Sequence, residues 1–96
     1  YNMALTIDND GNPIIVTGDT AIDTEIYDSY LMIKFIKWHR PVTAGHVCVL
    51  TDSNGREIVK FVCETDLESQ WAPIWSYFQD LHCNDMDSGT LYIYTK

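Results

Sequence analysis

The segment Val47–Cys63, VCVLTDSNGREIVKFVC, is the clearest indication of the fold class, because apolar residues alternate on both sides of a strong turn signal. Asn54-Gly55 is the dipeptide preferred in two-residue type I′ turns, whose central residues both need positive φ. That turn predicts a β-hairpin with three facing pairs: Leu50 with Val59, Cys48 with Phe61, and His46 with Cys63. One side of the hairpin is then apolar and the other mixed, which is typical of a half-buried antiparallel sheet.

Other short β-compatible segments follow one another along the chain, with turn residues about every 8–12 positions. These segments are residues 4–7, 14–17, 21–27, 30–38 and 90–95. Recurrent turns at this spacing are typical of a β-sandwich or a small barrel. A chain of 96 residues with no visible linker makes one domain, residues 1–96. We therefore expect an all-β domain: a small antiparallel β-sandwich or partly open barrel of about seven short strands.

Residues 72–81 carry an ambiguous pattern, APIWSYFQDL. A helix beginning at Pro73 would group Ile74, Phe78 and Leu81 on one side. A strand would instead group Trp71, Trp75 and Tyr77. We expect a short helical turn or an irregular crossover at this point of the sandwich.

The charge of the chain excludes some classes of partner. It has 14 acidic and 6 basic residues and a net charge of −8. Such a surface repels nucleic-acid phosphates and anionic membranes, so we expect no nucleic acid and no membrane as partner. Mimicry of nucleic acid is disfavoured by the basic residues within positions 34–60. No signal-peptide pattern or membrane-length apolar run is visible, and we expect synthesis in the cytoplasm.

The cysteines favour neither disulfides nor a metal. Cys48, Cys63 and Cys83 are an odd number without metal-type spacing, and we expect reduced thiols. His46 and Cys63, with Cys48 diagonal to them, could supply zinc ligands from the hairpin. Zinc sites usually carry CxxC or HxxxH spacing, however, and neither occurs here.

The loop Asp8–Pro13 alternates oxygen-bearing side chains in the manner of a calcium loop. Its glycine is at the fourth position instead of the sixth, and Pro13 occupies the sixth. A solvated turn is therefore the favoured interpretation. We expect no metal and no cofactor.

Nothing in the chain indicates catalysis. No G-x-S-x-G motif surrounds a serine, and no glycine-rich loop could hold a phosphate. Neighbouring carboxylates are expected by chance in so acidic a domain. We expect the protein not to be an enzyme.

Aromatic side chains are the remaining candidates for a binding surface. The candidate binding residues are Trp38, Trp71, Trp75, Tyr92 and Tyr94. Tyr92 and Tyr94 share one face of the last strand, opposite Leu91 and Ile93, so one pair points away from the core if only one sheet covers it. Exposed Trp and Tyr rings stack on sugars, while the same residue types anchor protein interfaces. A carbohydrate-binding module is thus one hypothesis, and it predicts that two or three of Trp38, Trp71, Trp75 and Tyr77 are exposed and coplanar.

The two ends of the chain favour another hypothesis. The opening MALTIDNDGNPIIVTGDT, residues 3–20, and the closing DMDSGTLYIYTK, residues 85–96, resemble the compact β-domains of tailed-bacteriophage virion proteins of the head-decoration and accessory type. The resemblance implies a non-enzymatic structural protein of the virion. Such a protein would dock on a capsid or tail surface and assemble with other virion proteins or with copies of itself. It transfers no residue roles.

Overall fold

The computed structural model describes residues 5–20 and 22–96, and these residues form seven β-strands and no helix. The strands are β1 (Leu5–Asp8), β2 (Ile14–Gly18), β3 (Thr24–His39), β4 (Val47–Thr51), β5 (Glu57–Val62), β6 (Gln70–Met86) and β7 (Thr90–Thr95). The all-β class and the number of strands are confirmed. Positions 4 and 21 of the predicted strands lie outside the described residues.

The seven strands form one antiparallel sheet in the order β1-β2-β7-β3-β6-β4-β5. Two long central strands, β3 and β6 with 16 and 17 residues, pair with each other over most of their length. The rings of Trp38 in β3 and Phe61 in β5 stack at 6.1 Å, although β6 and β4 lie between these strands in the sheet. The sheet therefore folds back over itself and encloses a common core, in the manner of a sandwich or partly open barrel.

Alternation along the strands builds that core. The inward positions are almost completely buried, and they come from both halves of the folded sheet. They include Ile14, Val16, Ile33, Ile36, Trp38, Leu50, Leu81, Met86, Leu91 and Ile93. Burial of apolar side chains at this density is the main favourable contribution to folding in a chain of this size.

The β4–β5 hairpin has the predicted register but a different turn. Cys48 pairs with Phe61 and Leu50 with Val59. Beyond Leu50 the register shifts, and Gly55 N–H donates to the Asp52 carbonyl. Gly55 has φ of 81°, whereas Asn54 is not at positive φ. The connection is therefore a type I turn followed by a left-handed glycine, so the predicted two-residue type I′ turn is wrong.

The predicted crossover at residues 72–81 is also wrong, because this segment lies within strand β6. Trp75 and Asp80 have positive φ, at 50° and 65°. Left-handed residues within a strand interrupt the two-residue alternation of its side chains. The interruptions gave the segment the apolar spacing of a helix, while its backbone stays extended and paired with β3.

Pro73 lies in the part of β6 that has a partner strand on one side only, although β6 is a central strand elsewhere. Within the described part of the chain, residues 71–78 of β6 pair with β3 alone, because β4 joins β6 only at residues 82–86. Proline lacks an N–H and is tolerated in strands where no neighbour needs that donor. Its presence fits the edge position of this half of β6.

Candidate binding cleft

Trp38 is not a surface residue, and its predicted role in binding is wrong. Its side chain is completely buried, and the indole Nε1–H donates to the Ser88 carbonyl at 2.8 Å. Trp38 occupies an inward position of β3 and pairs with Leu91 on the neighbouring strand β7. The indole is therefore part of the core and cannot contact a ligand at the surface.

The other four predicted residues lie at the surface to different degrees. Trp71 and Trp75 project from β6 with 66% and 62% of their surface exposed. Tyr92 and Tyr94 are half-buried on the outer face of β7, because Leu91 and Ile93 occupy the inward positions. The structure therefore leaves aromatic rings on the outer face of the sheet.

Most of these outer rings pack on one another. Phe35 stacks on Tyr94 with ring centroids 4.3 Å apart and meets the edge of Trp71 at 6.1 Å. Tyr92 lies edge-on to His39 at 5.9 Å. Phe35 covers one face of Tyr94, so that face is not available to a ligand.

A cleft of about 480 Å³ opens where the β1–β2 loop meets the end of β7. Its lining combines an apolar floor with aromatic and polar walls. Leu31 and Met32 contribute to the floor, Tyr27, Tyr30 and Tyr77 to the aromatic wall, and residues 9–12 with Lys96 to the polar rim. A volume of this size lies within the range of small-molecule sites, which are mostly apolar with a few polar groups.

Tyr30 and Tyr77 form the aromatic wall as a parallel pair. Their centroids are 5.5 Å apart and their planes differ by 10°. Tyr30 is 62% exposed and Tyr77 is 53% exposed, so the pair is open to solvent. Tyr30 was not among the predicted binding residues, because only the pairing of β3 with β6 places it beside Tyr77.

Hydrogen bonds hold the polar rim in place. Asn12 Nδ2 donates to the Thr95 carbonyl at 2.8 Å, and Thr95 N–H donates to Asn12 Oδ1 at 2.9 Å. Asn9 Nδ2 donates to the Ile26 carbonyl at 2.9 Å. These bonds tie the loop to β7 and β3, so the cleft is preformed. The loop that resembles a calcium site thus uses its Asn12 amide to build a wall of the cleft.

The zinc ligands considered in the hairpin do not form a ready metal centre. Cys48, Cys63 and Cys83 are buried thiols without disulfides. A hydrogen bond with Cys83 and burial raise the pKa of the Cys48 thiol well above its ordinary value, so it stays protonated at neutral pH. His46 Nδ1 is instead 2.7 Å from the Ser88 hydroxyl oxygen.

Comparison with known proteins gives only distant similarities. No family model and no curated protein matches the chain. Among solved structures, a Streptococcus pneumoniae fucose binding module has a TM-score of 0.48 and 11% identity, covering 96% of this chain and 70% of that one. A cupin domain from Bordetella pertussis has a TM-score of 0.38 and 13% identity, covering 97% and 92%. Similarities at this level transfer no function.

Several sequence predictions stay predictions. The resemblance to virion proteins, the assembly into oligomers and the absence of enzymatic activity are not tested by the geometry or by the comparisons. Across residues 5–20 and 22–96, no helix is long and apolar enough to cross a membrane.

Proposed function

We propose that the protein binds a saccharide in the cleft beside Tyr30 and Tyr77. The observation that carries this proposal is the parallel, solvent-exposed pair of tyrosine rings at the wall of a preformed cavity of about 480 Å³. Flat aromatic faces pack against the apolar C–H faces of pyranose rings. Exposed aromatic surface on a rigid sheet also binds without a large loss of conformational entropy, because the rings are held before the ligand arrives.

The polar rim supports the same ligand class. Asp10 provides an exposed carboxylate that accepts hydrogen bonds from hydroxyl groups, and Lys96 provides a donor on the same cleft. The backbone N–H of Lys96 donates to the Met32 carbonyl, which holds Lys96 at the cleft. A sugar presents hydroxyl groups around its rim and C–H groups on its faces, which matches polar edges beside an aromatic wall.

The remaining exposed aromatics are less suited to hold the ligand. Neither Tyr94 nor Trp75 lines the cleft. Trp75 therefore offers a matched control for Tyr77, since both rings project from β6 and both are more than half exposed.

The test begins with the full chain on a glycan array, followed by calorimetric titration of the best saccharide. We expect Tyr77→Ala to weaken binding at least about tenfold, as expected for the loss of an aromatic anchor. Tyr77→Phe keeps the ring and should retain most of the affinity. Trp75→Ala should bind like the unmodified chain.

Two results would overturn the proposal. One is the absence of any bound saccharide on the array. The other is an equal loss of affinity in Tyr77→Ala and Trp75→Ala, which would place the ligand on the outer surface of β6 instead of in the cleft. Circular dichroism of each variant shows whether the fold is retained.

A further inference from the structure

The outer face of β3 and β6 carries a second cluster of polar side chains, made of Asp23, Glu25, Asp80 and His82. Glu25 and His82 are directly opposed in the β3–β6 register. His82 follows the buried Leu81 and projects outward, and the Asp80 carboxylate lies beside the side chains of His82 and Glu25. Asp23 precedes Glu25 by two positions and reaches the same face. Adjacent antiparallel strands thus bring four ionisable groups together from two distant parts of the chain.

The donor atoms of three of these residues converge. One ligand atom each from Glu25, Asp80 and His82 lies within 4.8 Å of the others. His82 Nε2 is 3.9 Å from Glu25 Oε2. A tetrahedral ion with bonds of about 2.0–2.2 Å requires its donors to be about 3.3–3.6 Å apart, so small side-chain rotations close the set.

Asp23 completes the arrangement from the other side of the imidazole. Asp23 Oδ1 is 3.2 Å from His82 Nδ1. A carboxylate on Nδ1 fixes the tautomer that leaves Nε2 unprotonated and directed at Glu25. Metal-bound histidines nearly always have such a partner on the second ring nitrogen.

The charge of the cluster also calls for a cation. Three carboxylates surround one imidazole, and the only ion-pair partner of Asp23 and Glu25 among the described residues is His82 itself. His82 has a side chain only 19% exposed, whereas Asp23 is 62% exposed. The imidazole is therefore partly shielded from solvent, while Glu25 beside it is 49% exposed.

We propose that Glu25, Asp80 and His82 form a binding site for a divalent transition-metal ion, with Asp23 as the residue that orients His82. An imidazole nitrogen with carboxylate oxygens suits Zn²⁺ and similar first-row ions, whereas a site of oxygens alone would suit Ca²⁺ or Mg²⁺. The ion would cross-link β3 and β6 near their bulges. The site is separate from the saccharide cleft, and its test is independent of that proposal.

The test is calorimetric titration of the full chain, freed of metal by a chelator, with Zn²⁺ as the probe. We expect one ion per chain and a higher melting temperature in its presence. His82→Gln should lower the affinity at least about tenfold, and Asp23→Asn should lower it by about 10–100-fold at the same stoichiometry. His39→Gln removes a histidine of β3 outside the cluster and should leave the affinity unchanged.

Glu25→Gln provides a second test if His82→Gln does not fold, because Glu25 is half exposed and contributes little to the core. Titration with Co²⁺ separates this site from the thiols, since nitrogen and oxygen ligands give no thiolate-to-metal charge-transfer band. The proposal is overturned by the absence of binding, by a thiolate band, by equal affinity in folded variants of the cluster, or by Ca²⁺ or Mg²⁺ binding as tightly as Zn²⁺.

Discussion

The β4–β5 hairpin and strand β6 belong to one sheet but differ in how regularly apolar and polar residues alternate in their sequences. The hairpin alternates regularly, and its pairs Cys48–Phe61 and Leu50–Val59 follow from the pattern. Strand β6 is longer, contains Pro73, and interrupts its alternation at Trp75 and Asp80. Regular alternation is therefore sufficient to recognise a strand but not necessary to make one, because bulges keep the backbone extended while they shift its side chains.

The largest loss of stability should result from Phe61→Ala in the regular β4–β5 hairpin. Phe61 is only 5% exposed and stacks on Trp38, so its truncation leaves a cavity at the contact between the two halves of the sheet. We expect a loss of about 3–5 kcal/mol in the free energy of unfolding, measured by urea denaturation. The neighbouring Val62→Ala is the control, since Val62 is 43% exposed, and its cost should stay below about 1 kcal/mol. Equal costs at the two positions would refute the face assignment.

The turn of the hairpin gives the next test. A type I′ turn would make both Asn54 and Gly55 sensitive, whereas the observed turn needs positive φ at Gly55 alone. No atom lies within 4 Å of a Cβ added at Gly55, so the cost of Gly55→Ala comes from the backbone and should be about 1–2 kcal/mol. Asn54→Ala should change stability by less than about 0.5 kcal/mol in the same denaturation assay. A loss of more than about 1 kcal/mol in the free energy of unfolding for Asn54→Ala would contradict the observed turn and support a type I′ turn.

A glycine substitution at the bulge in β6 should change stability in the opposite direction to a glycine substitution in a regular strand. Trp75 has φ of 50° and an exposed ring, so Trp75→Gly relieves backbone strain and removes little buried surface. We expect the melting temperature to stay constant or to rise, corresponding to at most about 1 kcal/mol. Lys60→Gly, at an exposed regular position of β5, should instead cost about 0.5–1 kcal/mol. Similar losses in the two variants would mean that Trp75 is not in a bulge.

The smallest effect should occur where β6 meets the hairpin, at Asp85, which pairs with Val49. Its Oδ1 is buried without a hydrogen-bond partner among the described residues. Desolvation and the neighbouring Asp87 carboxylate raise the pKa of Asp85. The folded state therefore binds this proton more tightly than the unfolded state, and stability falls as the pH rises from the ordinary carboxyl range through the raised value.

Asp85→Asn removes this charge and should be more stable than the unmodified chain at neutral pH. The advantage should disappear below the ordinary aspartate pKa of about 3.9, where Asp85 is protonated in both states. Thermal unfolding of both proteins from pH 3 to pH 8 measures the difference. A constant difference across this range would show that the charge of Asp85 is not its cause.

The same contrast explains what sequence reasoning could find of the candidate sites. Local alternation identified the outer face of β7 with Tyr92 and Tyr94, because that strand is regular. The cleft depends instead on long-range pairing: β2 joins β7, and this brings Asn12 to Thr95. Tyr30 and Tyr77 likewise meet only through the pairing of β3 with β6. No local pattern encodes such pairings, so neither the cleft nor the cluster around His82 could be predicted.

Strands β3 and β6 belong to both halves of the folded sheet, and this sharing has a kinetic consequence. β3 completes its ladder only when β7 has paired with it, and β7 also pairs with β2, so residues 14–17 must meet residues 90–93. Among the described residues, the β1–β2 and β4–β5 hairpins alone form from strands that follow one another in sequence. Non-local topologies of this kind fold in about milliseconds to seconds, more slowly than domains built from local contacts. These two hairpins are the parts of the molecule that can form early. The cluster around His82 needs the distant strands β3 and β6 to pair, and the cleft also needs β7 to reach β2.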